Sequence, residues 1–285
     1  FRDAYNELFF SYSSNPETGK PFQSNVGLSM FVDFLNYSAI NFNASIIPFK
    51  GYDYNEPRVE GRYFRSIRYY YFNGGFSSDS RKPLRFNIHL EFGDFIEKRD
   101  GKSYGLYPNI RYRFNDKLSF RYDFRFNNDT YNFGFVEVLP SDSIIFGGRK
   151  LITFENKLGI QYIFKNDMSL KISARHYMNT GKYLHYYNLE QNGELTPNIN
   201  YNSNNNFSSN YFNIDIVYSW MFAPGSLLTI SYKNAVETER DIFNNNLSKN
   251  FKQTLNSPQT NSLSIKLICY LDYLNVKKLT KKGKI

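Results

Sequence analysis

From Leu84 to Phe92 every second residue is large and apolar. Leu84, Phe86, Ile88, Leu90 and Phe92 fall on one side of an extended chain, and Arg85, Asn87, His89 and Glu91 fall on the other. A repeat of two belongs to the β-strand, because successive side chains there point to opposite faces. The pattern returns many times. Leu118, Phe120, Tyr122, Phe124 and Phe126 oppose Ser119, Arg121, Asp123 and Arg125, while Leu106, Ile110, Tyr112 and Phe114 oppose Tyr107, Asn109, Arg111 and Arg113. Further runs lie at 26–34, 40–46, 152–164, 168–174, 212–222, 228–232 and 263–271. Helix-period segments are not expected anywhere. The reading is all-β, with about twelve strands near 5–13, 22–35, 37–48, 62–77, 83–95, 104–114, 117–127, 150–164, 168–178, 210–222, 226–236 and 260–273.

A soluble sandwich and a membrane barrel both satisfy such alternation. Three features favour the barrel. The runs 152–164 and 212–222 are thirteen and eleven residues long, whereas a tilted membrane strand needs about nine to eleven and a soluble one is usually about five or six. Tight connections alternate with long ones. Asn115-Asp116, Asn166-Asp167 and Pro224-Gly225 make turns, and 127–150, 179–210 and 237–260 make long polar loops, the first with a further small hairpin near 131–146. Each tight turn follows an aromatic residue (Phe114, Phe164, Phe222), which places three rings at one height, as in an interfacial girdle. The expectation is an antiparallel up-and-down transmembrane β-barrel in a bacterial outer membrane. Its short turns would be periplasmic, and its outward residues would include Leu84, Phe86, Ile88, Leu90, Phe120, Phe124, Ile214, Ile216, Ile265 and Leu267.

Composition agrees. Twenty-eight Phe and 25 Tyr accompany one Trp, yet the mean hydropathy is −0.55. Abundant rings in a polar chain suit strands with one greasy and one wet face. The net charge of +9 is spread through the strands rather than gathered in a patch or basic helix, which argues against nucleic acid as a partner. The dense run Lys277, Lys278, Lys281, Lys282 and Lys284 ends the chain. The domain division is therefore a barrel over 1–274 and a basic tail over 275–285. The single Cys269 excludes an intrachain disulfide and reads as a small apolar strand residue.

The inward phase gathers the charges. Arg85, Glu91, Arg111, Arg113, Arg121, Asp123, Arg125, Glu155, Lys157 and Arg175 would share one lumen with Lys171, Asp215, Lys233 and Lys266. Arg111, Arg113, Arg121 and Arg125 are expected to meet Asp123, Glu91 and Glu155 in a network across neighbouring strands. A mostly closed lumen is favoured over an open basic path. His89 and Glu91 share a face at a spacing compatible with metal or acid–base work, but lumen polar contacts are the favoured role. His176 and His185 lie near a loop without a partner at metal spacing. No G-x-S-x-G elbow, P-loop or cysteine pair is present. Neither enzymatic activity nor a cofactor is expected. Membrane lipid is the expected partner, and a glycan bound through Tyr- and Asn-rich loops is the rival from another class, a soluble or surface β protein. A hydrolase embedded in the barrel is a weaker third.

Several segments carry a resemblance. They are 56–64 (EPRVEGRYF), 71–75 (YFNGG), 104–106 with 111–117 (RYRFNDK), 145–147, 212–220 into FAPGS at 222–226, and 261–267 with 270–273. In this order they resemble the C-terminal barrel region of a Bacteroidota family known as domain of unknown function 5916. The resemblance implies a barrel, no catalytic residues, and an N-terminal domain similar to carbohydrate-binding family 9 that this chain does not contain. Further strands of a larger barrel would then precede it. Residues 275–285 depart from the aromatic ending usual for such barrels.

Overall fold

The computed structural model describes residues 1–16, 18–97 and 101–271. Its strands are β1 (Asp3–Ser14), β2 (Pro21–Asp33), β3 (Ala39–Ile47), β4 (Tyr52–Asp53), β5 (Phe64–Arg65), β6 (Tyr69–Ser77), β7 (Leu84–Phe95), β8 (Lys102–Arg113), β9 (Leu118–Val138), β10 (Ile144–Lys165), β11 (Met168–Leu189), β12 (Leu195–Pro197), β13 (Phe207–Ala223), β14 (Ser226–Arg240) and β15 (Thr260–Ile268), with one helix, α1 (Leu247–Leu255). The main sheet follows chain order, β1-β2-β3-β6-β7-β8-β9-β10-β11-β13-β14-β15, with β12 beside β11 and a separate β4–β5 pair. All of its pairings are antiparallel, so the architecture is an up-and-down meander. Among the described residues, β1 pairs only with β2 and β15 only with β14.

The tight turns form where sequence chemistry calls for them. Asn115 accepts hydrogen bonds from the backbone of Lys117 and Leu118 (2.8 and 2.9 Å), closing an Asx turn. Gly225 takes a φ of 73°, which needs no Cβ penalty in glycine. The ring before each turn packs edge-on against the aromatic residue two positions earlier: Tyr112–Phe114 at 4.3 Å, Tyr162–Phe164 at 4.7 Å and Trp220–Phe222 at 5.8 Å.

Four expectations need correction. The segment 127–150 is not a loop, because β9 and β10 run on to Val138 and Ile144 around a five-residue turn at 139–143. β9, β10 and β11 are 21, 22 and 22 residues long, so they project well beyond the 12-residue β7 and β8. Register shifts at Ile145/Phe146 and Arg149/Leu151 break the alternation there and hide the strand from a period-two reading. The strand expected at 62–77 begins only at Tyr69, and 62–68 belong to the β3–β6 connection. A helix does form, at 247–255, with Asn246 capping it through the Lys249 N–H. The last strand ends at Ile268 rather than 273, and the basic tail lies outside the described residues. Cys269, just past that strand, is exposed.

The β3–β6 connection shows how the sheet curls. Tyr63 lies under the Lys20 ammonium, 4.4 Å from its ring centroid, while a Cβ on Gly193 would come within 2.6 Å of the same ring. Lys20 immediately precedes β2 and Gly193 follows β11, seven neighbours along the sheet, or roughly 34 Å on a flat one. One side chain reaches both, so the wall bends round and residues 48–68 span its mouth. Phe64 packs on Phe146 (centroids 5.2 Å), Glu56 accepts from the Phe135 N–H (2.9 Å), Arg62 donates to the Leu189 carbonyl (2.8 Å), and Glu194 takes both Arg65 (3.0 Å) and Lys50 (3.1 Å). The buried cluster of Phe64, Ile144, Phe146 and Leu189 sits here, at the end opposite the tight turns.

Candidate functional site

Below that cluster the sheet has one apolar and one charged face. Leu84, Leu90, Ile265 and Leu267 are exposed to 50, 54, 67 and 61%, although the chain carries them as large hydrophobics. Phe120, Phe124, Ile214 and Ile216 are half-buried, and none of the residues expected to point outward lies in a closed core.

On the other face, register decides which charges meet. Glu155 is opposite Arg125 on β9 and beside Arg175 and Lys157. Its carboxylate takes Arg175 Nε at 2.7 Å, Lys157 Nζ at 3.1 Å and Arg125 Nε at 3.7 Å, with only 7% of the side chain exposed. Asp123 accepts from Arg121 Nε at 2.6 Å and also from the Asn109 amide. Glu91 is engaged by His89 Nε2 (3.2 Å) and the Tyr107 hydroxyl (2.7 Å), not by an arginine. That arrangement makes His89 and Glu91 members of a polar cluster bonded to the neighbouring strand.

The expected network therefore forms in two pieces, and part of it does not form. Arg111 and Arg113 reach no acid among the described residues. Arg85 is directly opposite Arg111, which is directly opposite Arg121. Three guanidinium groups thus stand in one cross-strand row, where like charges oppose pairing. The next position in the row is Gly159, opposite Arg121, and its missing side chain leaves a cleft of about 360 Å³. Arg113 and Lys171 complete the rim, over Ser119 and Ser173. A second hollow of about 430 Å³ lies farther along the same face between Glu91, Tyr107, Arg125 and Glu155. Tyr107 and Gly159 were not among the expected site residues. Tyr107 could have been found from its phase within 106–114, whereas the role of Gly159 depends on a register that no local motif reveals.

The remaining expected positions are scattered. Asp215 and Lys233 form a long pair at 3.9 Å farther round the sheet. The turn residues Asn115, Asp116, Asn166, Asp167, Pro224 and Gly225 all lie at one end, opposite 139–143, 190–206 and 241–259. At that opposite end, Tyr201 donates to Glu137 (2.5 Å); partial burial, and then the carboxylate, push its phenol above the ordinary range. No group of three potential metal ligands occurs among the described residues.

The sequence profile of a family described as "Domain of unknown function (DUF5916)" matches residues 1–280. No curated protein matches. Among solved structures, similar chains include the copper transporter OprC (TM-score 0.49, 11% identity, 93% of this chain and 40% of that one) and the NanC porin (TM-score 0.27, 12% identity, 94% and 99%). This chain thus spans 40% of the length of the transporter chain, and likeness at these scores carries no functional argument.

Proposed function

The chain belongs to the DUF5916 family, whose description assigns no activity, and from that premise we propose that it forms the wall of an outer-membrane barrel whose interior favours anions and does no catalysis. The apolar face meets lipid and the charged face meets water. In a bilayer every backbone group needs a partner, so the free edges of β1 and β15 join each other or further strands. The observation that carries the reading is the row Arg85, Arg111 and Arg121 beside the Gly159 cleft. Three directly opposed cations with a single nearby carboxylate are a costly arrangement that a passing anion relieves. The cleft offers room for an anion beside the row, and an open basic path is the reading taken here in place of a mostly closed lumen. Planar-bilayer recording across a salt gradient tests it. Wild type should conduct with an anion-selective reversal potential, and Arg85→Glu with Arg111→Glu should move that potential toward cations. Cation preference in the wild type would defeat the proposal, as would the absence of any conductance.

A second reading, glycan capture at the long-loop end, has its own support. A groove of about 710 Å³ there is lined by Tyr131, Tyr183, Tyr186, Tyr201, Asn198 and Asn206, with Tyr183 and Tyr186 stacked at 5.7 Å. Flat rings beside amide donors are suited to sugar faces. Calorimetric titration with oligosaccharides would detect it, and loss of the heat in Tyr186→Ala would place it.

A further inference from the structure

On β10, β11 and β13 the apolar face turns polar part-way up, at Asn156, His176, Asn210 and Ser208. The β14–β15 connection covers this change. Asn250 of α1 donates to Met178 Sδ (3.0 Å) and to the Asn244 carbonyl (2.7 Å), Asn244 N–H donates to Thr180 (3.2 Å), and the Phe251 ring packs edge-on against His176 (4.9 Å) and Phe212 (5.5 Å). The helix therefore lies on the outside of the wall, at the upper edge of the apolar belt.

Its surface is divided. Asn250 and Thr254 are buried against the sheet, and Leu247, Phe251 and Leu255 recur every fourth residue as a stripe on one flank. Phe251 and Leu255 are each 37% exposed. Lys249 and Lys252 are exposed away from that stripe, and none of the ion pairs among the described residues uses either. Beneath the stripe runs a groove of about 320 Å³, between Leu247 and Phe251 above and Leu158, Ala174 and Phe212 below. His176 lines it, only 6% exposed, and its Nε2 has no hydrogen-bond partner. A buried polar atom left unpaired is costly unless something supplies the bond.

We infer that this groove binds a phosphate-bearing lipid of the surrounding leaflet, with an acyl chain between α1 and the belt, a carbonyl near the head group at His176 Nε2, and the phosphate at Lys249 and Lys252. An apolar slot continuous with the belt, a lining histidine with an orphaned hydrogen-bonding nitrogen and two unpaired cations on the exposed side of the covering helix match the three parts of such a lipid. A peptide or a second copy of this chain would leave the two lysines without a defined counter-charge. The inference rests on the outer-membrane reading.

Native mass spectrometry of the whole chain in nonionic detergent, titrated with phosphorylated lipid A and with its dephosphorylated form, tests both. The phosphorylated lipid should be retained at about tenfold lower concentration, since each lysine near an anionic head group contributes substantially. Lys249→Glu with Lys252→Glu, two surface changes, should abolish that difference while leaving the dephosphorylated lipid bound. Ala174→Trp, which fills the slot, should remove both lipids. Equal retention of the two lipids by a protein that still requires detergent would overturn the inference alone. So would undiminished binding in Ala174→Trp, or a protein dimer in place of bound lipid. A chain that stays monomeric and folded without any amphiphile would overturn the inference and the outer-membrane reading together.

Discussion

The belt of the sheet and the extension above it are built from the same strands, yet they bury their apolar residues in opposite ways. In the belt, Leu84, Leu90, Ile265 and Leu267 stay open to their surroundings. In the extension, Ile144 and Phe146 are no more than 1% exposed, and Leu189 closes against Phe64 from the β3–β6 connection. A protein in water hides such residues where it can, and the extension does so by drawing residues 48–68 across its mouth. The belt has the same residue types and draws nothing over them. The proposed outer-membrane placement accounts for the difference by two solvents, with the extension assembled for water and the belt for hydrocarbon.

The largest way to break this contrast is in the extension. Phe64→Ala should cost about 3–5 kcal/mol, the range for a buried phenylalanine, because Phe146 and Leu189 lose their cover. Limited proteolysis should then cut within 48–68 while the strand signal in circular dichroism persists. Unchanged protease resistance would mean that the connection is not held by this cluster.

In the belt the response should be to charge rather than to volume. Leu90→Arg should cost about 2–4 kcal/mol if the position lies near the middle of a bilayer, read as a shift in the urea midpoint of folding into liposomes. Leu90→Ala should cost less, since no packed core is emptied. If the two substitutions reverse order, Leu90 is a core residue and the contrast collapses.

A smaller effect is expected at Gly193, whose φ is +77° and whose Cβ position is filled by the Tyr63 ring. Gly193→Ala should loosen the bridge by roughly 1–2 kcal/mol, the usual penalty for a left-handed residue with a Cβ, and Lys50 and Arg65 would lose their hold on Glu194 with it. Hydrogen exchange at the Arg65 N–H, which donates to the Gly193 carbonyl (2.8 Å), reports this directly.

The smallest belongs to the tight-turn end. Side-chain and backbone bonds from Arg81 hold the Asp79 carboxyl down to about 2, below its ordinary 3.8. A depressed carboxylate contributes stability above its unfolded value and loses it as pH falls through the folded one. The β6–β7 turn should therefore weaken between about pH 4 and pH 2, and Asp79→Asn should flatten that slope without touching the extension.

The belt was legible in the sequence because its two faces differ at every step. In Leu84–Phe92 and Leu118–Phe126 an apolar residue is followed each time by a polar or charged one, or by serine, and no residue is wasted on a bulge. The extension was not legible for the opposite reason. Its glycines 134, 147 and 148 and its register shifts interrupt the phase, so 127–150 reads as loop although it is strand almost throughout. The segment 62–68, which leads into the tyrosine run 69–71, reads as strand with it but is drawn off the sheet by Phe64 and Arg62. Helix α1 is nine residues of mixed polarity, too short for its period to stand out. At the candidate site, the residue types and their face could be read locally. Which of them meet could not, because the row of Arg85, Arg111 and Arg121 exists only once two hairpins have fixed their register.

The two-solvent account is tested most directly by spin labels placed one at a time from Leu118 to Phe126 on β9, in protein reconstituted in liposomes, with accessibility measured to oxygen and to a water-soluble nickel chelate. Labels at 118, 120, 122, 124 and 126 should favour oxygen and those at 119, 121, 123 and 125 the chelate, alternating with a period of two. Reversed phase, or high chelate access at the even positions, would contradict the account.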